Sequence, residues 1–168
     1  MRNDKDIKIT KDYLPNDLLQ FGIDHLRAAK FLYNASPSFY DSAGYLSHLG
    51  VELLLKAWLL DLSGKHPKTH RLMILWNKLI SLGQDLLLQK ENMQWMQELD
   101  KHYSLRYPHE SKVVETGSDD WDKTEKLFSE LCLYMPEHLL EKIQRLENTK
   151  KGRRILMKKN RNQLTLIV

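Results

Sequence analysis

The 168 residues, 42% hydrophobic and 29% charged, suffice for one domain with a single sizeable core, and a mean hydropathy of -0.53 is that of an ordinary water-exposed chain. The longest apolar run, Val51 to Leu60, contains Lys56 and falls well short of the roughly 20 apolar residues that span a bilayer, so no membrane span is predicted. The net charge of +4 hides an asymmetry: residues 149–168 hold seven Lys/Arg and no Asp/Glu, which leaves residues 1–148 at −3.

The first 15 residues form a polar leader, MRNDKDIKITKDYLP, in which acids and bases alternate without an apolar core. A secretory signal is not expected there, and a cytoplasmic location is the default expectation. Behind Pro15, Asn16 and Asp17 offer N-caps, and Leu19, Ile23, Leu26 and Ala29 recur at helical spacing, which predicts a first helix over about 16–35. ASPSFYDSAG interrupts it. A second helix follows over about 38–62 and stops before Gly64. From Val51 to Leu60, eight of ten residues are apolar on every side, so this helix is expected at the centre, buried all round.

In the loop SGKHPKTH, Pro67 excludes helix and Thr69 is placed to cap a third helix over about 70–82, closed by Gly83. Leu88, Trp95, Met96, Leu99 and Tyr103 mark a fourth over about 84–103. LRYPHES and a polar, glycine-containing loop lead to a fifth helix capped by Asp119 and Asp120, with Trp121, Phe128, Leu131 and Met135 on one face. Pro136 ends or kinks it, and a sixth segment carries Leu139, Leu140, Ile143 and Leu146 over about 137–148. Cys132, the lone cysteine, sits in the apolar pattern LFSELCLYM; it excludes an intramolecular disulfide and a cysteine-based metal site and reads as a small buried hydrophobe.

These elements predict an all-α fold: an antiparallel up-and-down helical bundle of five to six helices over 16–148, followed by a basic tail over 149–168. Ile7 and Ile9 alternate in DIKIT and the chain finishes LTLIV, so a small two-stranded pairing of the termini is also expected. The tail has no aromatic residues interleaved with its charges; it reads first as a solvated end and second as a phosphate-backbone contact.

The central helix carries the chemistry. His48, Glu52 and Lys56 follow one another at four-residue intervals and lie on one stripe with Leu55 and Leu59. A carboxylate on such a stripe needs partners, because burying an unpaired charge costs several kcal/mol. An internal ion pair that sets helix register is one reading and a ligand site is the other. His48 and Glu52 alone do not make a metal site, and no cofactor is expected.

The central stretch AGYLSHLGVELLLKAWLL (43–60), the loop GKHPKTHRL (64–72) and LRYP (105–108) come in an order and spacing that resemble the HEPN family, the "higher eukaryotes and prokaryotes nucleotide-binding" helical domains, over about residues 17–135. The resemblance implies a bundle that commonly forms a homodimer and holds nucleotide or RNA in a cleft near the dimer interface. Some members are metal-independent ribonucleases of toxin–antitoxin and phage-defence systems, and a nucleotidyltransferase-type protein is an implied partner. The nuclease branch places a histidine after an arginine with four to six residues between them, so that a cation steadies the phosphate while imidazole transfers the proton.

Here Arg106 has Ser111, Lys112 and Val113 at those positions, and no other arginine meets the spacing. His109 comes too early, across Pro108. The expected function is therefore a non-catalytic, dimeric binding module for a nucleotide, RNA or partner protein, with His48, Glu52, Lys56, His70, Arg106 and Tyr107 as candidate ligand-binding residues. The alternative is a divergent ribonuclease that uses Arg106 with His109, His70 or His102.

Overall fold

The structure, a computed structural model, describes residues 6–8, 14–107 and 114–148. Six helices form an all-α bundle: α1 Pro15–Ala35, α2 Tyr40–Ser63, α3 Leu72–Ser81, α4 Lys90–Leu99, α5 Asp120–Tyr134 and α6 Glu137–Asn148. Short 3-10 turns, Pro37–Phe39 and His102–Arg106, precede α2 and follow α4. The basic tail and the C-terminal LTLIV lie outside the described residues.

The central helix is where the sequence places it. Val51, Leu54, Leu55, Ala57, Trp58 and Leu59 are fully buried, and the buried Glu52, Lys56 and Leu60 occupy the remaining side of α2. Its longest contact is with α1, whose Leu19, Ile23, Leu26 and Ala29 face it. Two glycines set that crossing. A Cβ on Gly22 would stand 3.0 Å from the Gly50 carbonyl oxygen, and one on Gly50 would stand 2.6 Å from Leu26 Cγ. At the far end of α2, Gly64 takes the left-handed conformation (φ 69) and donates its N–H to Leu60 O.

Several helix ends differ from the local reading. Leu14, rather than Asn16 or Asp17, is the N-cap of α1; Asp17 instead reaches back to accept the Leu14 N–H at 3.0 Å. Thr69 accepts only the N–H of Arg71, and α3 starts at Leu72, whose N–H is taken by the buried carboxylate of Asp100 at 2.6 Å. The same carboxylate accepts Arg71 Nε at 2.7 Å. α4 begins at Lys90, later than its periodicity implies, because Glu130 of α5 accepts the Gln89 N–H at 2.8 Å and the Asn92 side-chain amide at 2.6 Å. It ends at Leu99, whose carbonyl accepts from His48 Nδ1, and the chain continues as a 3-10 turn.

Among the described residues the N-terminal strand is paired with the loop behind α2, while the expected partner LTLIV lies outside them. Asp6–Lys8 (β1) pairs antiparallel with Lys65–Pro67 (β2), in the loop behind α2, with Ile7 opposite His66. Pro67 is tolerated because the pair is all edge.

Gly50→Ala separates two opposing effects. Helix propensity favours alanine by up to about 1 kcal/mol, whereas the clash with Leu26 costs about 1–3 kcal/mol. Net destabilisation is expected in urea unfolding, and a variant as stable as the parent would show that the α1–α2 crossing has room to spare.

Candidate functional site

Glu52 is the meeting point. Its side chain is 2% exposed, and Lys56 Nζ lies 2.6 Å from Oε1 one turn along α2. His70, at the end of the loop that follows α2, brings Nδ1 to 3.1 Å from Oε1 and 3.2 Å from Oε2. His48, fully buried one turn earlier, donates from Nδ1 to the Leu99 carbonyl at 2.9 Å and turns Nε2 to 3.5 Å from Glu52 Oε2, the edge of hydrogen-bond range. Burial by itself would raise the Glu52 pKa; the His48, Lys56 and His70 contacts outweigh it and hold the carboxyl down at about 2.

The loop histidine closes the site on its outer side. The His70 ring stacks on Tyr103 with centroids 5.1 Å apart and planes 11° from parallel, and Tyr103 also touches the His48 ring at 5.9 Å. His70 remains 52% exposed, so one imidazole edge is tied to the carboxylate and the other faces outward. Tyr103 was legible only as an apolar marker of α4. Its place depends on the switch to 3-10 geometry after Leu99, which periodicity does not announce.

Arg106 and His102 sit on the same turn, and Tyr107 follows it. Arg106 follows Tyr103 by three residues, and i and i+3 eclipse in a 3-10 helix, so both belong to one side of it. The Arg106 guanidinium lies 5.2 Å from the ring centroid of Tyr107, and both residues are exposed. His109 lies outside the described residues. His102 is 2% exposed and edge-on to Trp95, and burial lowers its pKa. Gly44 leaves the space it needs, since a Cβ there would stand 2.8 Å from His102 Nδ1.

Compared with known protein families, residues 16–146 match the HEPN domain. The chain belongs to the HEPN family. No curated protein and no solved structure matches it. In this HEPN chain a cleft of about 490 Å³ opens between the end of α4 and the start of α5, over Trp95, His102 and Lys123. None of Glu52, Lys56 or His70 lines that cleft, and its charges are largely paired with one another, Lys101 with Glu98 and Lys123 with Asp119 and Asp120. The chemistry therefore concentrates at Glu52. Among the described residues no group of His, Cys, Asp and Glu is arranged to hold a metal ion, and no helix is long and apolar enough to cross a membrane.

Two outcomes are expected for the Glu52 cluster. Removing the carboxylate in Glu52→Ala strands Lys56 among apolar neighbours and costs about 3–5 kcal/mol, while Lys56→Met leaves Glu52 with His48 and His70 and costs less. Equal losses in urea unfolding would deny Glu52 its central place. Because the folded-state pKa of Glu52 is depressed, its stabilisation is fully present above about pH 4.5 and is lost as pH falls toward about 2. Thermal melts across that window should fall more steeply for the parent than for Glu52→Gln.

Proposed function

We propose that this HEPN chain is a dimeric, non-catalytic binding module that takes a nucleotide or a short RNA segment at the face formed by His70, Tyr103, Arg106 and Tyr107. The observation that carries this reading is the His70–Tyr103 stack above a buried, already neutralised carboxylate. It offers an aromatic platform for a base, and Arg106, on the same side of the 3-10 turn as Tyr103, supplies a guanidinium for a phosphate. Glu52 fixes the platform by holding His70 Nδ1, and Lys56 offsets the charge that would otherwise repel an anion. The family's nuclease spacing is missing at Arg106, which supports binding without cleavage.

A second reading follows from the same contact. A carboxylate that accepts from His70 Nδ1 leaves Nε2 free to take a proton, the arrangement of a general base. With Arg106 steadying a phosphodiester, that pair would serve a divergent, metal-independent ribonuclease of a toxin–antitoxin or phage-defence system. A nucleotidyltransferase-type protein is the partner proposed for either reading. The working unit is proposed as residues 16–148, with the basic tail adding salt-sensitive contact to nucleic acid, in the cytoplasm.

One set of measurements separates the two. Ribonucleotides should raise the melting temperature of the pure protein, and Arg106→Ala and Tyr103→Ala should each weaken that effect about tenfold or more in apparent Kd. Labelled RNA should remain intact. Degradation that disappears in both His70→Ala and Arg106→Ala would establish the ribonuclease instead.

A further inference from the structure

The cleft between the end of α4 and the start of α5 is built around an indole. The buried Trp95 lines it, and its ring is fixed from behind: Nε1 donates to Thr124 Oγ1 at 3.1 Å, and that hydroxyl donates to the Asp120 main-chain carbonyl at 2.8 Å. The wall leading into α5 is tied as well. Gly117 donates its N–H to the Asp120 carboxylate at 2.8 Å, and Thr116 donates to Asp41 of α2 at 2.7 Å. The space held open in this way, about 490 Å³, lies within the size range of small-molecule sites, about 300–1,000 Å³.

The chain's own side chains show which chemistry the cleft accepts. The Lys123 ammonium stands 5.0 Å from the centroid of the Trp95 ring and pairs with Asp119 at 2.9 Å and Asp120 at 3.4 Å. An aromatic face with carboxylates at its rim is the arrangement that recognises an ammonium. Acids outnumber lysines along the cleft by four to two: Glu98, Glu115, Asp119 and Asp120 against Lys101 and Lys123. Lys101 is taken by Glu98 at 2.6 Å, which leaves Glu115 without an ion-pair partner among the described residues.

His102 supplies a second, independent observation. It lines the cleft, is 2% exposed, and its Nδ1, packed against Gly44, has no hydrogen-bond partner among the described residues. Buried polar groups are nearly always hydrogen-bonded, so this ring is open to a group that enters the cleft. Burial lowers the His102 pKa, which favours the uncharged ring. An uncharged imidazole keeps one acceptor nitrogen, and an ammonium brings only donors.

We propose that this cleft binds a small organic cation with two or more primary ammonium groups, a linear diamine or polyamine, one end of which replaces the Lys123 ammonium over Trp95. Glu98 on α4 and Glu115 before α5 face the remaining charge. The Lys123 side chain is 44% exposed, and an exposed ion pair contributes little, so the exchange of one ammonium for another is nearly neutral. Each further ammonium then makes a contact that the chain does not make for itself. A metal ion fits less well, since no group of His, Cys, Asp and Glu among the described residues is arranged to hold one. The cleft shares no residue with the His70, Tyr103, Arg106 and Tyr107 face, so the inference stands or falls apart from the nucleotide reading.

Calorimetric titration of the pure protein with spermidine and with putrescine, at constant ionic strength, tests the proposal. Saturable binding is expected. In Lys123→Met, which vacates the ring, the dissociation constant should fall about tenfold. Lys78→Met makes the same charge change on α3 and should leave it unmoved, whereas Glu115→Gln should raise it about threefold. Absence of saturable binding would overturn the proposal, as would a dissociation constant indifferent to Lys123→Met. Equal tightening in Lys123→Met and Lys78→Met would reduce the effect to overall charge and has the same consequence. Stabilisation by ribonucleotides that disappears in Lys123→Met would put an anion in this cleft, and also overturns it.

Discussion

A helix buried on all sides that nevertheless carries a carboxylate has one way to stay folded: the charge must be matched inside the protein. Glu52 meets that constraint with Lys56 on its own helix, His70 from the following loop and His48 one turn before. The loop from Gly64 to Arg71 is drawn back onto α2 by this contact, and His70 in turn seats Tyr103. His48 ties the cluster to the end of α4 through the Leu99 carbonyl. One polar centre thus aligns α2, the loop behind it and the 3-10 turn that bears Arg106.

The same device recurs away from the site. Asp100 closes the start of α3 from the far side of α4, and Glu130 closes the start of α4 from α5. Each is a buried carboxylate that accepts orphan backbone or amide N–H groups of a helix distant in sequence, in place of a local cap. The arrangement links helix boundaries to tertiary packing, so the ends of α3 and α4 form only when the bundle does. It also keeps these acids engaged with backbone and amide groups inside the bundle.

The residues of the proposed ligand face come from separate parts of the chain. The arginine sits on the 3-10 turn after α4, but the imidazole next to that turn comes from the loop behind α2, by way of Tyr103, rather than from the segment following the arginine. A stack held from below by a neutralised carboxylate is rigid on one edge and open on the other. That asymmetry suits recognition of a base and its phosphate, and the same free edge is what a proton-transfer role would use.

The amino-acid sequence by itself determined a bundle of five to six helices, their order, the central position of α2 and the His48–Glu52–Lys56 stripe, because all of these follow from apolar periodicity within single elements. It also carried the family, through AGYLSHLGVELLLKAWLL and the spacing to GKHPKTHRL and LRYP. Only the tertiary structure decided where α3 and α4 begin, since Asp100 and Glu130 act across 28 and 41 residues of chain. It alone brought His70 to Glu52 across 18 residues and set Tyr103 against it, and it gave the N-terminal strand Lys65–Pro67 as its partner. Helical periodicity reports which face of an element is buried; it carries no information about which distant side chain will meet that face, and that pairing is what makes the site.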